Sequence, residues 1–383
     1  MRTLFLWLVA ATLQFGPVAL AKDFFVYFGT FTNESSQGIY LSQLDTDTGK
    51  LSRPELAAAT PSPNFLAVSP DGRLLFAATR VETFQGMTGG AVSAFAIDGH
   101  TGRLKLLDQK FSGGAGPCYV GVDAGGRNVL VANYPGGSVK SFHVNPDGRL
   151  TDGTFIQHHG SSVNTNRQSV PHAHCLVAAP GGRFALACDL GMDKVMIYKL
   201  DPTNAALTAN EPAFAAVTPG SGPRHLAFSP DGKTAYLVSE MACTVTVFAW
   251  DGLNGKLDER ETVSLLPPGV AVTDAFSAGE IAVRSDGRFV YATVRGHDSV
   301  SVLAVDGNSG RLSLVENVPC GGEIPRGMGI DPTGRWLIVA NETSGTVTVF
   351  GINDANVEVG SFRDQRAVVH GFMLSGYVLT HDR

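Results

Sequence analysis

Charge is scarce in this 383-residue chain and neither sign dominates: 29 lysines and arginines face 35 acidic residues, for a formal net charge of −6. That balance favours neither a nucleic-acid backbone nor an anionic membrane as partner. Cysteines number five (Cys118, Cys175, Cys188, Cys243 and Cys320), and no two form a C-x-x-C pair. The spacings of haem attachment, iron–sulfur clusters and structural zinc are therefore missing. Each cysteine lies in or beside an apolar strand pattern and reads as a small buried thiol. Also missing are a G-x-S-x-G elbow, a G-x-x-x-x-G-K-[ST] phosphate loop and an H-E-x-x-H metal helix. Gly113-Gly114-Ala115-Gly116 precedes a strand pattern, so it is not a dinucleotide cradle. Beyond the N-terminus no apolar run approaches the ~20 residues of a membrane-spanning helix.

What is present is glycine (45 residues) and an apolar share of 44%, too high for a disordered chain. Both fit many strands joined by tight turns. The N-terminus differs in kind. Met1-Arg2, the apolar run 3–13 and Ala19-Leu20-Ala21 describe a cleaved secretory signal ending at Ala21. The expected mature chain begins at Lys22 and is periplasmic or secreted, with no membrane span. Asn33-Glu34-Ser35 and Asn341-Glu342-Thr343 fit the glycosylation pattern, which matters only where exports are glycosylated.

The segment GPRHLAFSPDGKTAYLVSE (222–240) reads as two short strands joined by a turn at Pro230-Asp231-Gly232-Lys233. A two-residue turn would set Arg224 opposite Ser239, beside Glu240. The unit recurs. Its turn glycines are Gly72, Gly126, Gly182, Gly232, Gly287 and Gly334, 47 to 56 residues apart, each followed by a third strand such as TVTVFAW or SVSVLAV. Four-stranded units of this period predict a β-propeller. Six complete units and a partial one at the N-terminus make seven antiparallel blades over 22–383. The ring would be closed by N- and C-terminal strands, with AVVHGFML (367–374) as the closing strand.

Because the units repeat, their positions can be compared with one another. Eight residues before the turn glycine lie Asn64, Cys118, His174, Arg224, Gly279 and Arg326; eight after it lie Arg80, Tyr134, Leu190, Glu240, Arg295 and Glu342. Antiparallel pairing brings both sets to one mouth of the central channel. His174, Arg224, Arg326, Arg80, Glu240, Arg295 and Glu342 should converge there, a density of charge suited to a small anionic ligand. The plain alternative for Arg224 and Glu240 is a cross-strand ion pair of little energetic weight. His172 and His174 face one way, but spacing supplies no third metal ligand. His225 should point away from Arg224 and serve packing or a supporting hydrogen bond. His158 and His159 read as solvated. The strandless run Gln157–Pro171 is a candidate lid.

Taken together, VYFGTFT, PSPNFLAVSPDGRLLFAA, VANYPGGSV, RQSVPHAH, GPRHLAFSPDGKTAYLVSE, YATVRGHDSVSV and IPRGMGIDPTGRWLIVAN resemble the seven-bladed propeller lactonases. That family includes propeller-type 6-phosphogluconolactonases and the fungal carboxy-muconate lactonizing enzyme. The resemblance runs from about Phe24 to Phe350. It implies a site of one histidine, two arginines and a glutamate, which fall on His174, Arg224, Arg295 and Glu240. The repeat positions select the same four. Arg80 departs from the acidic residue that relatives often carry there.

The expected function is hydrolysis of a sugar lactone at the channel mouth, 6-phosphogluconolactonase-like and part of carbohydrate metabolism. His174 or Glu240 would act as general base, Arg224 and Arg295 as oxyanion and carboxylate or phosphate binders. His172, Arg326, Asn133 and Arg80 would be further substrate contacts. The scheme requires no metal and no organic cofactor, and the chain is expected to act as a monomer or weak oligomer. Export sits poorly with a phosphorylated, cytoplasmic substrate. Two rivals remain: a muconate-type lactonizing cycloisomerase using the same residues, and a non-catalytic cell-envelope propeller whose rim charges would not converge.

Overall fold

At the six predicted turns every glycine lies in the left-handed region, with φ between 67° and 74°, where a side chain is unfavourable. The Asp-Gly turns are also capped from within. Asp71, Asp231 and Asp286 each accept a hydrogen bond from the backbone N–H two residues on. In this computed structural model, which describes residues 23–32, 35–353, 359–360, 367–368 and 373–381, these turns link the two innermost strands of six blades. The signal-sequence reading falls outside the described residues.

The blades follow one another in chain order. Blade 2 is Pro63–Val68, Leu74–Thr79, Ala91–Ile97 and Leu104–Phe111, and blade 3 is Pro117–Val122, Asn128–Asn133, Ser138–Val144 and Leu150–Gln157. Blades 4 and 5 begin at Ala173–Ala178 and Pro223–Phe228, blades 6 and 7 at Ser277–Val283 and Pro325–Ile330. Blade 1 joins the two ends of the chain. Its inner strand is Met373–His381, paired antiparallel with Asp23–Phe31, then Gly38–Asp45 and Glu55–Ala59.

The closing strand therefore starts later than expected. Ala367–Val368 pairs instead with Thr346–Ile352, at the outer side of blade 7. Gly371 interrupts AVVHGFML, whereas Tyr377, Val378, Leu379 and Thr380 form an unbroken run of strand-favouring residues.

Packing between blades explains why the strands are apolar on both faces. Seven hydrophobic clusters each join two adjacent blades. Phe24, Val26 and Phe28 pack toward blade 7, while Phe25 and Tyr27 pack toward blade 2. Alternate side chains of one strand thus serve two interfaces. All five cysteines are buried and free, as small core thiols should be.

One irregularity recurs and sets up everything at the mouth. Each inner strand of blades 2 to 7 carries a bulge at its first turn: between Pro63 and Phe65, Pro117 and Tyr119, Ala173 and Cys175, Pro223 and His225, Ala278 and Ile281, Pro325 and Gly327. The extra residues are Asn64, Cys118, His174, Arg224 and Arg326, with Gly279-Glu280 in blade 6. Arg224 is accordingly not paired with Ser239, which faces Pro223 instead. A bulge bends the strand and re-aims the unpaired residue, here at the position the repeats had marked.

Removing 373–383 should leave Asp23–Phe31 with an open inner edge prone to intermolecular pairing. We expect the truncated chain to unfold about 5–10 °C lower and to aggregate. An unchanged midpoint in differential scanning calorimetry would show that closure contributes nothing.

Candidate active site at the channel mouth

Glu240, the first residue after the second strand of blade 5, has a buried carboxylate shared by three guanidiniums. Its Oε1 lies 2.6 Å from Arg167 Nη2; its Oε2 lies 2.9 Å from Arg295 Nη2 and 3.2 Å from Arg224 Nε. His174 Nε2 approaches the same oxygen to 3.8 Å. Burial alone would raise the carboxyl's pKa, but Arg295, Arg224 and Arg167 outweigh it and hold it at about 2. Glu240 is an anion at any physiological pH and a weak base.

The other members are fixed from their own strands. Arg224 is buried and donates from Nη1 to the Gly279 carbonyl at 2.7 Å. Burial and the neighbouring Arg295, against the opposing pull of Glu240, lower it to about 10, so it stays cationic. Arg295 donates to the Ala278 carbonyl at 3.0 Å. His174 is buried, and that burial together with Arg224, His225, Arg326 and Arg295 depresses its pKa well below the usual range. Its imidazole is neutral at neutral pH. Arg326 pairs with Glu342 at 3.2 Å, its repeat equivalent of the Arg224–Glu240 pair. His172 stacks on Tyr134 with ring centroids 4.5 Å apart and interplanar angle 14°.

Two expected contacts make no bond to the charged cluster among the described residues. Arg80 is exposed, with its guanidinium 6.0 Å above the Phe31 ring and no ion pair to the cluster among the described residues. Asn133 is fully buried and ties down a turn, donating to the Ser112 carbonyl and to Ser138 Oγ. Asn341 does the same work in blade 7 through Thr346 and Thr348. In five of the six blades the residue seven after the turn glycine ends the strand; in blade 6 the strand runs one further, to Arg295.

The loop 157–171 is strapped down, and it supplies a residue that repeat comparison had no means of finding. His158 is buried rather than solvated, between Asp189 Oδ2 at 2.6 Å and the Tyr198 hydroxyl at 2.8 Å. Gln168 donates to the Leu190 carbonyl and Ser162 to Asp193. Any Cβ on Gly191 would meet the Val170 carbonyl at 2.0 Å, so the loop lies directly on that glycine. So held, it delivers Arg167, 45% exposed at the side chain, onto Glu240 and the Tyr134 hydroxyl. His225 packs and makes supporting hydrogen bonds as expected, but it does not face away from Arg224: it touches both Arg224 and His174 and accompanies Glu280, which the repeat scan overlooked.

Below the mouth the channel opens into a cavity of about 230 Å³ lined by Phe65, Tyr119, His225, Glu280 and Met328 among others. A larger cavity of about 600 Å³ lies at the opposite rim, between the turns of blades 2 and 3. It is roomier but lined mainly by turn residues, without a buried charged cluster.

The clamp on Glu240 has a measurable consequence. The folded carboxyl titrates at about 2 and an unfolded one near 4.5. Its stabilisation, on the order of 3 kcal/mol, is complete above the unfolded value and lost as pH falls through the folded one. Urea unfolding between pH 2 and 5 should show Glu240→Gln lacking most of that rise. Parallel curves for the two proteins would contradict the clamp.

Comparison with known proteins agrees with the propeller architecture. The family profile described as "Lactonase, 7-bladed beta-propeller" matches residues 25–374. A 6-phosphogluconolactonase of Bacillus subtilis is 37% identical over 324 residues, 85% of this chain and 90% of that protein. A 6-phosphogluconolactonase of Formosa agariphila is 30% identical over 353 residues, covering 90% and 97%. The structure of a periplasmic gluconolactonase from Pseudomonas aeruginosa superposes with a TM-score of 0.87 at 34% identity, over 94% of this chain and all of that one. On sequence, fold and family profile alike, the chain belongs to the seven-bladed β-propeller lactonases.

Proposed function

We propose that the protein hydrolyses an unphosphorylated sugar lactone, glucono-1,5-lactone in the first instance, outside the cytoplasm. The observation that carries this reading is a neutral His174 set against a carboxylate already claimed by three arginines. Glu240 at about 2 is too weak a base to activate water, and both its oxygens are engaged. His174 Nε2 is the better acceptor. As water attacks the lactone carbonyl, its proton passes to His174 Nε2 and the carbonyl π pair becomes an oxyanion. Collapse of that intermediate breaks the ring C–O bond, and the leaving oxygen takes the proton back.

Arg295 and Arg167, the more open of the guanidiniums on Glu240, are suited to meet the oxyanion and the product carboxylate. Arg224 fixes Glu240 and adds its field. Arg326 and His172 border the mouth as substrate contacts. The convergence of charges speaks against a merely structural rim. The signal-like sequence of residues 1–21 and the likeness to a periplasmic gluconolactonase support export and a substrate without phosphate.

An indicator assay of acid release by the mature protein from Lys22 tests this on glucono-1,5-lactone and its 6-phosphate. We expect acceleration above the spontaneous rate, greater on the unphosphorylated lactone. His174→Ala should lower kcat by ~10²–10⁴-fold, and Arg295→Ala or Arg224→Ala by ~10²–10³-fold. Preference for the 6-phosphate would overturn the substrate assignment. Full activity in His174→Ala would overturn the mechanism.

A further inference from the structure

One residue further along each inner strand than the mouth ring lies a second ring, seven before the turn glycine: Phe65, Tyr119, Cys175, His225, Glu280 and Gly327. Phe65, Tyr119, His225, Glu280 and Gly327 line the channel cavity beneath the mouth. Most of the ring is aromatic, small or a buried thiol. The exception is one ionisable pair, in adjacent blades, directly under His174 and Arg224. Burying such a pair is costlier than continuing the apolar ring, and the pair is aimed at the site. His225 Nδ1 lies 2.7 Å from Glu280 Oε1, and His225 Nε2 lies 3.2 Å from His174 Nδ1.

The three side chains form a line with one consistent placement of hydrogens. Glu280 is ionised: burial raises its pKa, but the hydrogen bond from His225, the charge of Arg224 and the Ile281 N–H outweigh that and leave it lowered. Its carboxylate only accepts, so His225 Nδ1 must carry a hydrogen. His225 is neutral, because burial lowers its pKa despite Glu280. Its Nε2 is then bare, and the hydrogen in the 3.2 Å contact must come from His174 Nδ1. That leaves His174 Nε2 bare, facing Glu240 and the mouth.

No neighbour competes for these positions. Arg224 Nη1 is 3.3 Å and 3.4 Å from the two ring nitrogens of His225. An atom nearly equidistant from both nitrogens lies over the ring face and along neither lone pair. It is also committed to the Gly279 carbonyl. Phe65 and Tyr119 pack edge-on against His225, with centroids at 5.6 Å and 5.3 Å. Around His174 stand Cys118 Sγ at 3.9 Å and the Tyr134 ring at 5.3 Å, with Arg295, Arg326 and Glu240 on the outer side.

We propose that Glu280 and His225 are a positioning pair that holds His174 in the tautomer with its hydrogen on Nδ1 and a bare Nε2 directed at the substrate. The proposal rests on reading His174 as the general base. It also answers a difficulty in that reading, since the imidazolium formed during turnover lies among arginines. Through His225, the Glu280 carboxylate supplies a compensating negative charge at the Nδ1 side of that ring. Both residues act through His174 and lie beneath the mouth rather than in it, so their loss should fall on kcat and spare KM.

The test combines histidine ¹⁵N NMR with kinetics on glucono-1,5-lactone for the wild-type protein, Glu280→Gln and Glu280→Asp. In the wild type, His174 Nδ1 should resonate as a protonated nitrogen and Nε2 as an unprotonated one. In Glu280→Gln the amide can donate to His225 Nδ1, which turns His225 over and moves the His174 hydrogen to Nε2. We expect that inversion with a fall in kcat of at least ~10-fold, by analogy with wrong-tautomer variants of other histidine bases, and KM within twofold. Glu280→Asp should restore the wild-type tautomer and much of kcat. A wild-type His174 protonated on Nε2, or a Glu280→Gln protein with unchanged tautomer and kcat, overturns the pair. Should the expected tautomers occur in a wild type that hydrolyses no lactone, the positioning pair would stand and the lactonase reading would fall.

Discussion

A carboxylate removed from water must be matched by charge and hydrogen bonds, and Glu240 is matched by arginines from three separate places in the chain. Arg224 comes from its own blade, Arg295 from the next, and Arg167 from the loop between blades 3 and 4. Because a buried ion cannot lose one partner cheaply, this single group fixes the relative positions of all three. The same residue's backbone ties blades 5 and 6 together, since the Ala278 N–H donates to the Glu240 carbonyl at 2.9 Å. Positive charge nevertheless remains in excess. Four guanidiniums at the mouth (Arg167, Arg224, Arg295 and Arg326) face the carboxylates of Glu240 and Glu342, which leaves an opening suited to an anion or a developing oxyanion.

The fold supplies these residues by a repeated device. A bulge near the start of the inner strands of blades 2 to 7 turns the unpaired residues toward the axis, and the ionisable side chains among them sit in blades 4 to 7, apart from the Cys118 thiol of blade 3. In blades 2 and 3 the position holds Asn64 and Cys118, and Asn64 serves structure by donating to the Pro117 carbonyl. The site is therefore asymmetric on a nearly symmetric scaffold. Chemistry is concentrated on one side of the ring, and the remaining positions hold the blades together.

The repeat was plain in the sequence because its cause is local: a glycine at positive φ, a capping aspartate, and alternating apolar residues. Positions counted from that glycine found the His174, Arg224, Glu240, Arg295 group before any coordinates. What counting missed depends on departures from regularity or on contacts without periodicity. The bulge at Arg224 reverses the expected facing of His225, so its packing and supporting hydrogen bonds are made beside the site rather than away from it. Arg167 and His158 lie in a loop with no repeat to compare, and His158 is buried only because Asp189 and Tyr198 happen to meet there. Asn133, expected as a substrate contact, is fully buried and bonds to Ser112 and Ser138. The closing strand begins at Met373 because strand preference resumes after Gly371, a local signal without the turn that marks the other blades.

The central claim is that the arginine-clamped mouth, and not the larger cavity on the opposite rim, takes the lactone and its acid product. A crystal structure of the protein with D-gluconate would test it most directly. The account predicts the carboxylate bound between Arg295 and Arg167, within hydrogen-bond reach of His174 Nε2. Gluconate seated among the blade 2 and blade 3 turns, with the mouth empty, would contradict it.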